Sequence, residues 1–82
     1  MTNSSELTIL DLKKSETGQV KEVSGNDSVS RRLEDMGIVP GSNISLERKS
    51  PLGGAVILSL RGYQLAIRKA EAKRIVLAKI SS

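Results

Sequence analysis

Apolar and polar residues alternate most cleanly in the second half of the chain. Ile44 and Leu46 alternate with Ser45 and Glu47, and Val56, Leu58 and Leu60 alternate with Ala55, Ile57 and Ser59. A period of two sends successive side chains to opposite faces, so both stretches predict strands with one buried face. After the two-residue connection Arg61-Gly62, Tyr63, Leu65 and Ile67 alternate with Gln64, Ala66 and Arg68, which completes a three-strand meander. The first two strands are joined by Pro51-Leu52-Gly53-Gly54, a turn in which proline presets φ and one or both glycines take φ above zero.

The first half is less regular. Leu7, Ile9, Leu10 and Leu12 are apolar, and the run "KKSETG" after them reads as a turn. Gln19 to Val23 is a short strand whose two valines fall on opposite faces of a regular pleat, so one of them needs a bulge or a second packing surface. In "GNDSVSRRLEDMG", Val29, Leu33 and Met36 recur at helical spacing, Asn26, Asp27 or Ser28 can cap the start, and Gly37 suits a left-handed stop. The polar face of this helix carries Arg31, Arg32, Glu34 and Asp35, either as a solvated surface or with the arginines meeting an acidic partner. Pro40-Gly41 is a further turn, and "AEAKRIVLAKI" predicts a helical turn around Glu71 to Lys73 and a closing strand from Arg74 to Ile80.

Five short strands and one helix are too few to bury two separate sheets. A small, closed or nearly closed antiparallel barrel is the economical arrangement, because closure also removes strand edges. The polar stretch 1–6, "MTNSSE", is expected to be a flexible leader and residues 7–80 a single domain.

Composition narrows the chemistry. Among 82 residues there is neither cysteine nor histidine, so thiolate chemistry, disulfides and the usual zinc ligand sets are excluded, and no metal or cofactor is expected. General acid–base or nucleophilic catalysis would need a positioned base that the chain does not supply, which points away from an enzyme. The longest apolar run, Ala55 to Leu58, is far short of the roughly 20 residues of a bilayer span, and the first residues lack a secretory pattern, so a cytoplasmic protein without membrane insertion is expected. The net charge of +4 and the basic residues Arg61, Arg68, Lys69, Lys73 and Arg74 allow a nucleic-acid-binding or transcription-regulatory barrel as the alternative function. Tyr63 is the single aromatic residue, however, and base stacking or the grooves that take proline-rich peptides need several rings.

The glycine pair is no phosphate cradle. Such loops open onto a helix N-terminus, whereas Gly53-Gly54 leads into the β-branched strand Ala55 to Leu58. Leu52 at the tip either folds back over the barrel mouth or stands out as a binding element.

The ordered segments "RRLEDMGIVPGSNISL", "KSPLGGAVILSLRGYQLAIRK" and "AKRIV" resemble the FeoA family, small cytosolic companions of the ferrous iron transporter FeoB. The same module is similar to the C-terminal domain of the iron- and manganese-dependent repressors. The resemblance runs from about Leu7 to Ile80, with Ala55 standing where the family often has proline. It implies an all-β, SH3-like antiparallel barrel of about five strands with one inserted α-helix and a short helical turn near the C-terminus. It also implies a non-enzymatic accessory protein of ferrous iron uptake that binds the cytosolic region of a FeoB-type GTP-binding transporter at the inner face of the membrane. The expected partner surface lies between the helix end and the Leu52 turn, with Arg32, Met36, Leu52, Tyr63 and Arg68 giving an apolar centre and a charged rim. Met36 also fits the core by its spacing.

Overall fold

The computed structural model describes residues 6–81. Its strands are β1 (Leu7–Thr8), β2 (Thr17–Val23), β3 (Asn43–Lys49), β4 (Ala55–Leu60), β5 (Tyr63–Arg68) and β6 (Ile75–Ser81). Helices α1 (Ser28–Asp35) and α2 (Lys69–Ala72) and a 3₁₀ turn at Ile9–Asp11 complete it. The expected leader falls almost wholly outside the described residues; Glu6, its last residue, is exposed.

All pairings are antiparallel, in the order β1-β6-β2-β3-β4-β5. There are six strands, not five: the two-residue β1 pairs Leu7 with Leu77 and Thr8 with Val76. Edge strands β1 and β5 do not pair with each other. The 3₁₀ turn that follows β1 packs against α2, which follows β5, so the two segments leaving the edges meet. Ile9 and Ala72, one from each, are fully buried there.

The alternating residues fill the interior: Ile44, Leu46, Val56, Leu58, Leu60 and Ile67 are all buried. The conflict between Val20 and Val23 is resolved by register shifts against β6 on both sides of Val20, a bulge that leaves Val20 buried and Val23 half-buried.

Helix α1 is framed by its own side chains. Asp27 is the N-cap: its carboxylate accepts from the Ser30 N–H at 3.1 Å, and the Ser30 hydroxyl accepts from the Asp27 N–H at 3.1 Å. At the other end Gly37 has φ +98° and the helix closes in a Schellman turn. The Ile38 N–H donates to the Leu33 carbonyl at 3.1 Å and the Gly37 N–H to that of Glu34 at 2.9 Å. Leu33 and Ile38, brought together by this closure, are both completely buried.

Candidate functional site

The end of α1 faces the ends of β4 and β5. Because Ala55 pairs with Arg68, the start of β4 lies beside the end of β5, and α2 begins immediately after. Arg32, Met36, Ala55, Ile67, Arg68 and Glu71 line an open cavity of about 410 Å³ at this junction. Its floor is apolar, and its rim carries the guanidinium groups of Arg32 and Arg68.

Glu71 holds the rim in place. One of its carboxylate oxygens accepts from the Arg68 N–H at 2.9 Å, and the other is paired with the Arg32 guanidinium. The Glu71 side chain is mostly buried while that of Arg32 is more than half exposed, so the arginine is anchored at one end and open to solvent at the other. Residue charge alone does not single out Glu71. The available signal was its position three residues after Arg68, where a carboxylate can reach back to the start of a helical turn.

Tyr63 stands at the far end of β5 from Arg68, and its hydroxyl donates to the Met36 carbonyl at 2.7 Å. Its ring is about half exposed, at 47%. The Met36 side chain is half-buried, packs against the core as its spacing allowed, and also lines the cavity. Of the five expected partner-binding residues, Arg32, Met36 and Arg68 line this cavity, and Tyr63 meets the end of α1 at the Met36 carbonyl. Leu52 does not line this cavity. It stands out from the β3–β4 turn, 96% exposed, instead of folding back over the barrel mouth. That turn is closed by the Gly53 N–H donating to the Ser50 carbonyl at 2.8 Å. Gly53, at φ +77°, is the glycine of the pair with positive φ.

Of the basic residues of the nucleic-acid alternative, Arg68, Lys69, Lys73 and Arg74 lie on and around α2, and Arg61 stands apart. Arg61 lies in the β4–β5 turn, whereas Arg68 pairs with Ala55 at the opposite end of that hairpin, roughly 17 Å away by strand rise. Arg74 is engaged with Asp27, its Nη1 donating to Oδ1 at 2.7 Å. Sequence proximity suggested one patch; strand geometry takes Arg61 out of it.

The Asp27–Arg74 pair makes a prediction about acid. The Arg74 hydrogen bond, helped by the Ser30 N–H, pulls the Asp27 carboxyl from its ordinary 3.8 to about 2. The folded state therefore holds its proton less tightly than the unfolded chain. The stabilisation is complete above the ordinary value and is lost as pH falls from about 4 towards about 2. Urea midpoints should show Asp27→Asn less stable than the parent at neutral pH, with the gap closing across that window. A gap that stays constant with pH would mean the pair contributes nothing through its charge.

Among the described residues no three carboxylate, histidine or cysteine side chains converge as a metal site. Nor is any helix among them long and apolar enough to cross a membrane.

Short antiparallel strands wrapped around one core, with a helix inserted between the second and third, place the chain among the small SH3-like barrels. Residues 7–79 match the FeoA domain, and the chain belongs to the FeoA family. A FeoA-like protein from Clostridium acetobutylicum is 35% identical with a TM-score of 0.80, covering 92% of this chain and 87% of its own. The FeoA protein from Chlorobium tepidum is 31% identical with a TM-score of 0.79, over 87% of this chain and 68% of the other. Stenotrophomonas maltophilia FeoA, solved in complex with zinc, is 28% identical with a TM-score of 0.72, over 92% and 95%. That protein is described as a procaryotic SH3 domain protein and a proposed activating factor of bacterial ferrous iron transport. No curated protein matches the chain.

Proposed function

We propose that this chain is a non-enzymatic accessory protein of ferrous iron uptake that acts in the cytoplasm by docking on the cytosolic part of a FeoB-type GTP-binding transporter. The observation that carries the reading is the cavity at the end of α1. Met36, Ala55 and Ile67 give it an apolar floor, and Arg32 and Arg68 give it a charged rim, the usual anatomy of a protein interface. Tyrosine and arginine are the residue types that most often dominate binding energy; Arg32 and Arg68 line the cavity, and Tyr63 is tied to it by its hydrogen bond to the Met36 carbonyl. Leu52 extends this contact beyond Ala55, which leads out of the β3–β4 turn.

The test is a titration of the purified chain against the cytosolic part of the transporter, with and without guanine nucleotide. Arg68→Glu changes an exposed side chain with no ion pair among the described residues, so it should leave thermal stability intact. It is expected to weaken binding roughly tenfold or more, and Leu52→Ala to weaken it less. Unchanged affinity for both Arg68→Glu and Tyr63→Ala would place the contact elsewhere on the barrel.

A further inference from the structure

A second surface, which meets the Met36 cavity at Ala55, surrounds the β3–β4 turn. Lys13, Lys14, Arg48 and Lys49 line an open cavity of about 480 Å³ over Leu12 and Leu46. Arg48 and Lys49 continue into one of about 470 Å³ with Pro51 and Ile57. Lys49 and Lys69 share a third, of about 420 Å³, with Leu10 and Pro51. The shared lining residues make this one continuous face with five cations, and Leu52 projects from its tip at 96% exposure.

The backbone is shaped to present these charges. Leu46 pairs with Leu58 but Arg48 with Ile57, so Glu47 is an extra residue in β3. Without it, the alternation of Ile44 and Leu46 would aim Arg48 at the core; the bulge turns Arg48 outward, onto the face of Ile57. Lys49 Nζ donates to the Leu10 carbonyl at 3.2 Å, which fixes it across the end of the barrel. The neighbouring carboxylates offset part of this charge but pair with none of the five cations among the described residues. Glu16 accepts from the Lys13 N–H at 2.7 Å, Asp11 from the Thr8 N–H at 2.8 Å, and Glu47 is half-buried in the bulge. Among the described residues, no ion pair engages any of the five cations.

We propose that this face docks on an anionic lipid bilayer, with Leu52 inserted at headgroup level and the five cations against the lipid phosphates and carboxylates. Leu52 lines none of these three cavities, so a protein partner seated in their apolar floors would leave its side chain unused. A bilayer interface accepts one apolar side chain at any lateral position, and its diffuse negative charge sums over every nearby cation. The proposal does not rest on the transporter contact, since lipid alone should bind the chain.

The experiment is co-sedimentation of the full chain with vesicles of phosphatidylcholine alone and of equal parts phosphatidylcholine and phosphatidylserine. Binding is expected to the mixed vesicles only and to weaken as salt rises. Lys13→Gln with Lys14→Gln should lower it roughly 25-fold, at about fivefold for each cation removed. Leu52→Ser should lower it severalfold. Arg31→Gln with Arg61→Gln, the same change in net charge on other surfaces, should leave it nearly unchanged. No binding to the mixed vesicles at low salt, or an equal loss in both double variants, overturns the proposal. If soluble poly-glutamate binds as tightly as the mixed vesicles and Leu52→Ser alters neither, the face fits an acidic protein surface and the lipid proposal fails.

Discussion

Replacing Leu33 by alanine is expected to lower the unfolding free energy by about 2–5 kcal/mol, the range for emptying a well-packed leucine site. A domain of this size has only roughly 4–12 kcal/mol in total at ordinary per-residue stabilities, so the loss takes a large part of it. Leu33 is the fully buried apolar residue of α1, with Ile38 folded back against it by the Schellman turn. The site cannot collapse easily, because both ends of α1 are fixed: the start by the Asp27 cap and its Arg74 pair, the end by Gly37. Val29→Ala, a half-buried position on the same stripe, should cost less, about 1 kcal/mol. Urea unfolding followed by circular dichroism separates the two. Equal losses would mean that α1 lies on the barrel as a surface element and contributes little to the core.

The same comparison shows which features a sequence exposes. Strands β3, β4 and β5 were legible because each buries one face, and burial of one face writes a period of two into the residues. The helix was legible through its cap, its stripe and its glycine stop. Strand β1 was not, since two residues cannot show a period and its identity rests on pairing with Leu77 and Val76 at the far end of the chain. The Arg32–Glu71 pair joins α1 to α2, and no local rule links those positions.

Charge was the least legible property, in both directions. The run from Arg61 to Arg74 looks like a basic cluster, yet the β4–β5 hairpin sends Arg61 and Arg68 to opposite ends. The face around Leu52 unites Lys13-Lys14 with Arg48-Lys49, two dipeptides far apart in sequence. They meet because the Ser15 N–H donates to the Leu46 carbonyl at 2.9 Å and the Leu46 N–H to that of Glu16 at 3.1 Å. Strand pairing decides where charge accumulates, and strand pairing is the long-range part of the fold.

Gly37→Ala should cost about 1–3 kcal/mol of stability and should also weaken transporter docking. At φ +98° an L side chain is strained before any contact is considered. Its Cβ would in addition lie 3.3 Å from both Leu60 Cδ2 and the Tyr63 hydroxyl. Leu60 is fully packed and cannot retreat, so Tyr63 must give way, and its hydroxyl is the group bonded to the Met36 carbonyl. One added methyl therefore loads the helix stop and the proposed docking face together. Tyr63→Phe separates these effects, because it removes only the hydroxyl of a half-exposed ring and should cost about 1 kcal/mol or less. Thermal unfolding and titration of the transporter's cytosolic part, run on both variants, distinguish the outcomes. Gly37→Ala with parental stability would show that the left-handed stop is dispensable. Lost stability with unchanged affinity would remove Tyr63 from the docking face and leave it a purely structural clasp on the end of α1.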